Sequence, residues 1–465
     1  MALASADWGD PATAPVIEPG QTLTTISVTI ADQTLHPGFR LWWWAGFTIA
    51  TAFTAVFVLA VEWLFVAGVG IWGIDIPVAW GFAIANYVWW IGIASGGTII
   101  SALFYLTQSE WRSAVNRIAE SMTLFAAAAA GIMPILHLGR PSFFYWLFPI
   151  PNTMGLWPQF RSPLLWDFFA ILTYVTSSLL FWYLGLVPDF ALVRDRATTR
   201  RAQRIYGILA MGWTGSHRQW RLHKTAYGLL AALMAPLVVS VHSIVGLDFS
   251  GGLLPGWHST QFSPFFVFGA VLSGFATVLL LVIPLRRLYR LEAYITARHL
   301  DLLITFMLLC SLLLAYSYLV DALLPFYGDD KYEQATALHR FTGAWAWSFW
   351  GAVILNVLVP QLLWLKSLRH SAWVVCLVAF GVVIGMWLER IMLVTSSLYE
   401  DFLPSSWGHY AGTLWDWLTL LGSVGFAAAG FFLFLRYVPV VAAFELKEIL
   451  PPADREGGRE KVPAA

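Results

Sequence analysis

The sequence predicts an all-α integral membrane protein of about ten transmembrane helices. Three observations predict it. Hydrophobic residues make up 58% of the 465 and charged residues only 12%, too little charge for the two or three soluble domains that the length alone would suggest. Apolar stretches recur near 41–68, 80–106, 118–138, 162–187, 225–246, 262–284, 299–321, 341–365, 372–395 and 412–437, each close to the ~20 residues that cross a hydrocarbon core. The connections between them also alternate in charge, as expected of a chain that crosses a bilayer repeatedly.

That alternation sets the topology. Arg40, Arg112, Arg117, the run from Arg194 to Lys224, Arg286, Arg287, Arg290, Arg298, Lys366, Arg369 and the basic residues from Arg436 onward fall on one side. Only Arg140, Arg161, Lys331 and Arg340 fall on the other. Positive charge is retained in the cytoplasm, so a cytoplasmic N-terminal segment (1–40), a ten-span membrane domain (41–440) and a cytoplasmic C-terminal tail (441–465) are expected. The first 40 residues lack a basic stretch followed by a short apolar core, so no cleavable signal peptide is expected, and the tail from Pro451 reads as flexible. The run from Arg194 to Lys224 reads as a long loop anchored on anionic headgroups. The outer connections, Phe148–Pro158 and Gly246–His258, are rich in Gly, Pro, Trp and His and suit the aromatic interface belt or a docking surface.

Composition also excludes functions. A formal net charge of zero gives no basis for binding nucleic acid. Cys310 and Cys376 lie far apart in apolar runs, with no haem-attachment or iron–sulfur motif around them. A redox metal would need histidine ligands or a partner protein.

Polar residues inside spans carry the functional signal, because each is costly in hydrocarbon. His137 and Arg140 end the third span, Asp167 begins the fourth, and His242 and Asp248 lie towards the end of the fifth. Consecutive helices are usually neighbours, so these five residues are expected to gather at the outer edge of the bilayer. The chemistry fits a quinol. Its oxidation needs an acceptor for each of two protons, and a neutral His137 and an ionised Asp167 at opposite ends of the ring would supply them. Arg140 could hold Asp167 ionised.

Other polar residues have simpler readings. Glu389 and Arg390 leave their helix in different directions, so each is expected to pair with another helix. Glu62 and Asp416 could cap or anchor helix ends. Glu120, Asp189, His223, His299 and Asp301 lie near inner span ends, where snorkelling is cheap. The span centres read as mostly dry. Gly96 and Gly97 suit close helix packing. From polarity alone, a proton route would run through Glu62, Asp321, His339, Glu389, Arg390 and Asp416.

The segment Leu136-His137-Leu138-Gly139-Arg140-Pro141, followed by Ser162-Pro163-Leu164-Leu165-Trp166-Asp167, resembles the NrfD/PsrC-like family of membrane quinone-reactive subunits. Ten spans, with Gly246–Ser250 and Pro255–His258 after the fifth, are similar to the NrfD-like membrane subunit of bacterial alternative complex III. The resemblance covers about residues 40–440. It implies two four-helix bundles, spans two to five (about 80–246) and six to nine (about 262–395), with two flanking helices in a bacterial cell (inner) membrane.

The resemblance further implies no haem or cluster in this chain. Quinol, with menaquinol a candidate, would bind at the outer face through His137 and Asp167, with Arg140, His242 and Asp248 around them. Electrons would pass to an iron–sulfur cluster of a periplasmic subunit, then to multihaem cytochrome c subunits. A cytochrome c, a small copper protein or a terminal oxidase would follow, and a paralogous membrane subunit would stand alongside. The second bundle has no copy of the His-Leu-Gly-Arg-Pro stretch, so one quinol site is expected. The alternatives are a haem-b cytochrome using His137 and His242, a proton or ion transporter, and a structural anchor.

Overall fold

A computed structural model describes residues 8–38, 40–147, 159–399, 402–408 and 410–451. Ten of its helices are long and apolar enough to span a membrane: α2 (Leu41–Ala67), α3 (Phe82–Leu106), α4 (Asn116–His137), α5 (Pro163–Arg196), α7 (His217–Ser250), α8 (Phe262–Leu288), α9 (Ala297–Tyr327), α11 (Ala346–Trp364), α12 (Ala372–Leu398) and α13 (Leu414–Tyr437). Shorter helices are α1 (Leu23–Leu35), α6 (Arg200–Leu209), α10 (Lys331–Thr342) and α14 (Ala443–Ile449). The expected outer connection Phe148–Pro158 and the tail beyond Pro451 lie outside the described residues.

Side chains satisfy several helix starts at the membrane edge, where free N–H groups are costly. Capping boxes form at Thr22 with Thr25, Ser216 with Gln219, Thr296 with His299, and Thr413 with Asp416. Helix α5 opens with Pro163, whose missing N–H is harmless in a first turn.

Helices α3, α4, α5 and α7 pack as one four-helix bundle, and α8, α9, α11 and α12 as a second. Helices α2 and α13 pair with each other and flank the first bundle through α13. The bundles meet along α3 and α8. There the backbones touch: a Cβ built on Gly96 would stand 2.3 Å from Gly274 Cα. Only glycine on both helices allows that approach. One helix of each bundle, α3 at Ile99–Leu103 and α11 at Ile354–Leu358, widens into a π-type turn.

Three features depart from the sequence-based expectations. Helix α5 continues to Arg196 and α7 starts at His217, and α6 fills most of the gap, so the basic run from Arg194 to Lys224 is largely helical. The expected tail begins with folded structure: Val441, Ala442, Ala443, Leu446 and Leu450 are buried, and α14 packs against α1 and α5. These elements were too short to register as spans.

The third departure concerns the inner span ends. Glu120, Asp189, His223 and His299 do not snorkel; all four are buried. Arg117 bridges Glu120 at 3.0 Å and Asp189 at 3.2 Å, and Tyr227 donates to Glu120 at 2.6 Å. Arg112 pairs with Glu445 of α14 at 2.9 Å. A buried guanidinium needs such partners, because its desolvation is otherwise uncompensated.

Candidate functional site

The site lies at the end of the first bundle opposite the basic connections. His137 is the last residue of α4, Asp167 sits one turn inside α5, and Asp248 lies in the last turn of α7. The Tyr87 hydroxyl, from α3, donates to Asp167 Oδ2. The Asp248 carboxyl lies in direct contact with that of Asp167. Four helices thus deliver one side chain each to the same end of the bundle.

An aromatic cluster stands against His137. Trp80 meets the His137 ring edge-on, with centroids 6.3 Å apart, and packs on Phe249 at 5.9 Å and on Trp257 at 5.4 Å. Trp257 is fixed in turn by its indole N–H, which donates to Leu393 O at 2.7 Å. Trp257 belongs to the Pro255–His258 stretch that the sequence singled out. The backbone of that stretch is tied down as well: Gly256 N–H donates to Glu333, and Gly256 O accepts from Arg340.

The site is short of hydrogen bonds. His137 Nδ1, Asp167 Oδ1 and Asp248 Oδ1 are each buried without a hydrogen-bond partner. A buried polar atom without a partner costs about 1–3 kcal/mol, and native proteins keep few of them. Three such atoms lie at this one end of the bundle, where Trp80 packs on His137, Phe249 and Trp257.

Two of the five expected residues stand apart. Arg140 is exposed and forms no ion pair with Asp167, so it does not hold that carboxylate. His242 is 1% exposed, and its Nδ1 lies 3.0 Å from Ser95 Oγ. Ser95 is eight residues below Tyr87 on α3, about 12 Å deeper at 1.5 Å per residue. His242 therefore belongs to the bundle interior, and its Nε2 has no partner there.

That interior is not dry, contrary to expectation. Below Ser95 and His242, Thr98 and Tyr174 share a hydrogen bond of 2.6 Å. Thr123 donates to Ala94 O at 2.8 Å, and Trp182 donates to Ser121 Oγ at 2.9 Å. Ser121 is one residue from Glu120, so polar groups recur from the level of Ser95 to the buried ion pairs of the basic face.

The six residues read as a proton route do not form one file. Glu62 stands exposed on α2. Asp416 caps α13, accepting from Thr413 N at 2.8 Å. Asp321 pairs with Arg340 at 3.3 Å, and His339 bonds Tyr399. Glu389 and Arg390 pair with each other at 2.9 Å, and each also reaches another helix, as expected. Tyr318 donates to Glu389, and Arg390 lies over the Phe266 ring. Adjacent residues can meet when both side chains bend towards one cleft.

Sequence reading missed Tyr87, Trp80 and Ser95. Nearly every position of α3 from Phe82 to Thr98 is buried, so no polar face marks Tyr87 or Ser95 in the sequence.

Comparison with known proteins agrees with this architecture. The chain is similar to a putative dimethyl sulfoxide reductase membrane subunit of Halobacterium salinarum, 24% identical over 82% of this chain and 90% of that one. It is also similar to a selenate reductase subunit of Mesobacillus selenatarsenatis, 22% identical over 78% of this chain and 86% of that one. Residues 73–399, from the connection before α3 to the end of α12, match the family described as polysulphide reductase, NrfD. The chain is a multi-pass membrane protein and belongs to the NrfD family.

Proposed function

We propose that this chain is the quinol-oxidising membrane subunit of an electron-transfer complex. One observation carries the reading: partnerless buried atoms of His137, Asp167 and Asp248 lie at the same end of the first bundle, where Trp80 packs on His137, Phe249 and Trp257. A quinol matches this set. Its ring suits the aromatic cluster, its tail suits the lipid, and its two hydroxyls need two proton acceptors.

Oxidation of the quinol to quinone releases two protons and two electrons. His137 Nδ1 accepts one proton. The Asp167–Asp248 pair accepts the other: two carboxyls in contact share one proton at rest, and the carboxyl still ionised takes up the quinol's proton. Tyr87 orients Asp167 through the bond to its second oxygen. An iron–sulfur cluster on a partner protein at this face would take up the electrons, and the charge alternation supports a face outside the cell membrane. The names of the relatives, subunits of reductases, support a redox complex.

Within that reading, assembly as in alternative complex III would add multihaem cytochrome c subunits, a paralogous membrane subunit and a downstream cytochrome c, copper protein or oxidase. Menaquinol is the quinol proposed. If turnover moves protons across the membrane, the hydroxyls from Ser95 to Ser121 give a more continuous route than the six residues chosen by polarity.

The test is quinol oxidation by the purified complex carrying Asp167→Asn or His137→Ala, with the presence of every polypeptide checked by gel. Turnover should fall at least 100-fold while the assembly stays whole, in line with loss of a proton acceptor. Near-normal turnover in a complete complex would reduce this chain to an anchor and move the quinol site to another polypeptide.

A further inference from the structure

On the basic face a crevice of about 550 Å³ opens between α5, the start of α7 and α14. Its carboxylates already have cations. Glu448 pairs with Lys224 at 2.6 Å, and Asp189 pairs with Arg117 at 3.2 Å. Its remaining cations, Arg221 on α7 and Lys447 on α14, pair with no carboxylate among the described residues. Burial lowers the Lys447 ammonium from its ordinary lysine value, although the nearby Asp189 opposes this. An anion bound beside it would favour the charged form. Between these cations the walls are apolar, with Leu192, Trp220 and Phe444.

The neighbouring helix fixes the depth of the crevice. Helix α6 packs on α5 and leaves Ile205, Ile208 and Met211, just past its end, 47%, 71% and 72% exposed. Arg200, Arg201 and Arg204 stand on the same short helix. A helix with apolar and basic faces lies in the plane of the headgroups, which puts the crevice at phosphate level.

We propose that this crevice binds an anionic glycerophospholipid of the basic-face leaflet, its phosphate between Lys447 and Arg221. The glycerol and first methylenes lie along Leu192, Trp220 and Phe444. Basic pockets between spans at this face take such headgroups because charge and apolar contact act together. Each cation near the headgroup is worth about fivefold in affinity, and the two together about thirtyfold.

The experiment uses the protein in its native assembly, stripped of lipid in mild detergent and titrated with mixed micelles containing dioleoylphosphatidylglycerol. Binding is read by native mass spectrometry. Arg221→Gln with Lys447→Gln should weaken binding about thirtyfold. Lys447→Arg alone should preserve it, which separates lost charge from lost folding. Arg201→Gln with Arg204→Gln should have little effect. Three outcomes overturn the proposal: unchanged affinity in the first double variant, equal binding of dioleoylphosphatidylcholine, or an equal loss in the α6 variant, which would mean diffuse attraction. Displacement of the lipid by millimolar inorganic phosphate would make this a site for free phosphate and also overturn it.

Discussion

Gly96→Ala tests the joint between the bundles. The new Cβ would lie 2.3 Å from Gly274 Cα and 2.9 Å from Gly274 N. Carbon atoms in contact prefer about 3.5–4.0 Å, so the helices must part by over an ångström along that line. No rotamer relieves the clash, because the obstructing atoms are backbone. Overpacking of this kind costs about 1–3 kcal/mol, and backbone against backbone belongs in the upper half of that range. The expected fall in melting temperature is about 5 °C. Thermal unfolding in detergent reads it through a thiol-reactive dye, with buried Cys310 as the reporter. Gly131→Ala is the control, because its Cβ would meet only Ile171 Cγ2 at 3.9 Å. Gly274→Ala should resemble Gly96→Ala, and the double variant should cost less than the sum, since both open one gap. If Gly96→Ala melts within about 1 °C of the parent, the close crossing does not set the bundle spacing and the reasoning fails.

Two further outcomes are expected. Tyr87→Phe removes the donor to Asp167 Oδ2; quinol turnover should fall about tenfold or more, and an unchanged rate in a complete complex would exclude Tyr87 from the mechanism. Arg390→Leu strands Glu389 in the interior and should cost about 3–5 kcal/mol, while Glu389→Leu with Arg390→Leu should recover most of it; equal unfolding temperatures for the single and double variants would contradict the pairing.

The spans were legible because a helix crossing hydrocarbon must be apolar for about 20 residues whatever its neighbours do. The placing of His137, Asp167 and Asp248 at one end of consecutive spans was legible for a related reason. A polar residue at a span end is rare, and consecutive spans tend to be adjacent. What was illegible depended on direction rather than depth. Helical periodicity is lost in α3, which is buried all round, so nothing in the sequence distinguishes Tyr87 or Ser95 from packing residues. The Glu389–Arg390 pair depends on two rotamers turning to one cleft. Arg140 lies close to His137 in sequence, but the helix ends at His137 and the chain carries Arg140 outward. Helices α1 and α14 derive their order from each other and from the bundle, which no local window reports.

The ionic seam on the basic face has a consequence for biosynthesis. Arg112 is made early, yet its carboxylate, Glu445, is translated only after all ten spans. Asn116 relies on the same side chain, donating to it at 3.0 Å, and α1 rests on the helix that carries it. Until the helix that carries Glu445 emerges from the ribosome, the inserted first bundle holds a guanidinium without its counter-charge. A chain stopped before Ala443 would keep all ten spans and still present that defect to quality control. The segment around Glu445 thus completes the charge pairing of a bundle made long before it.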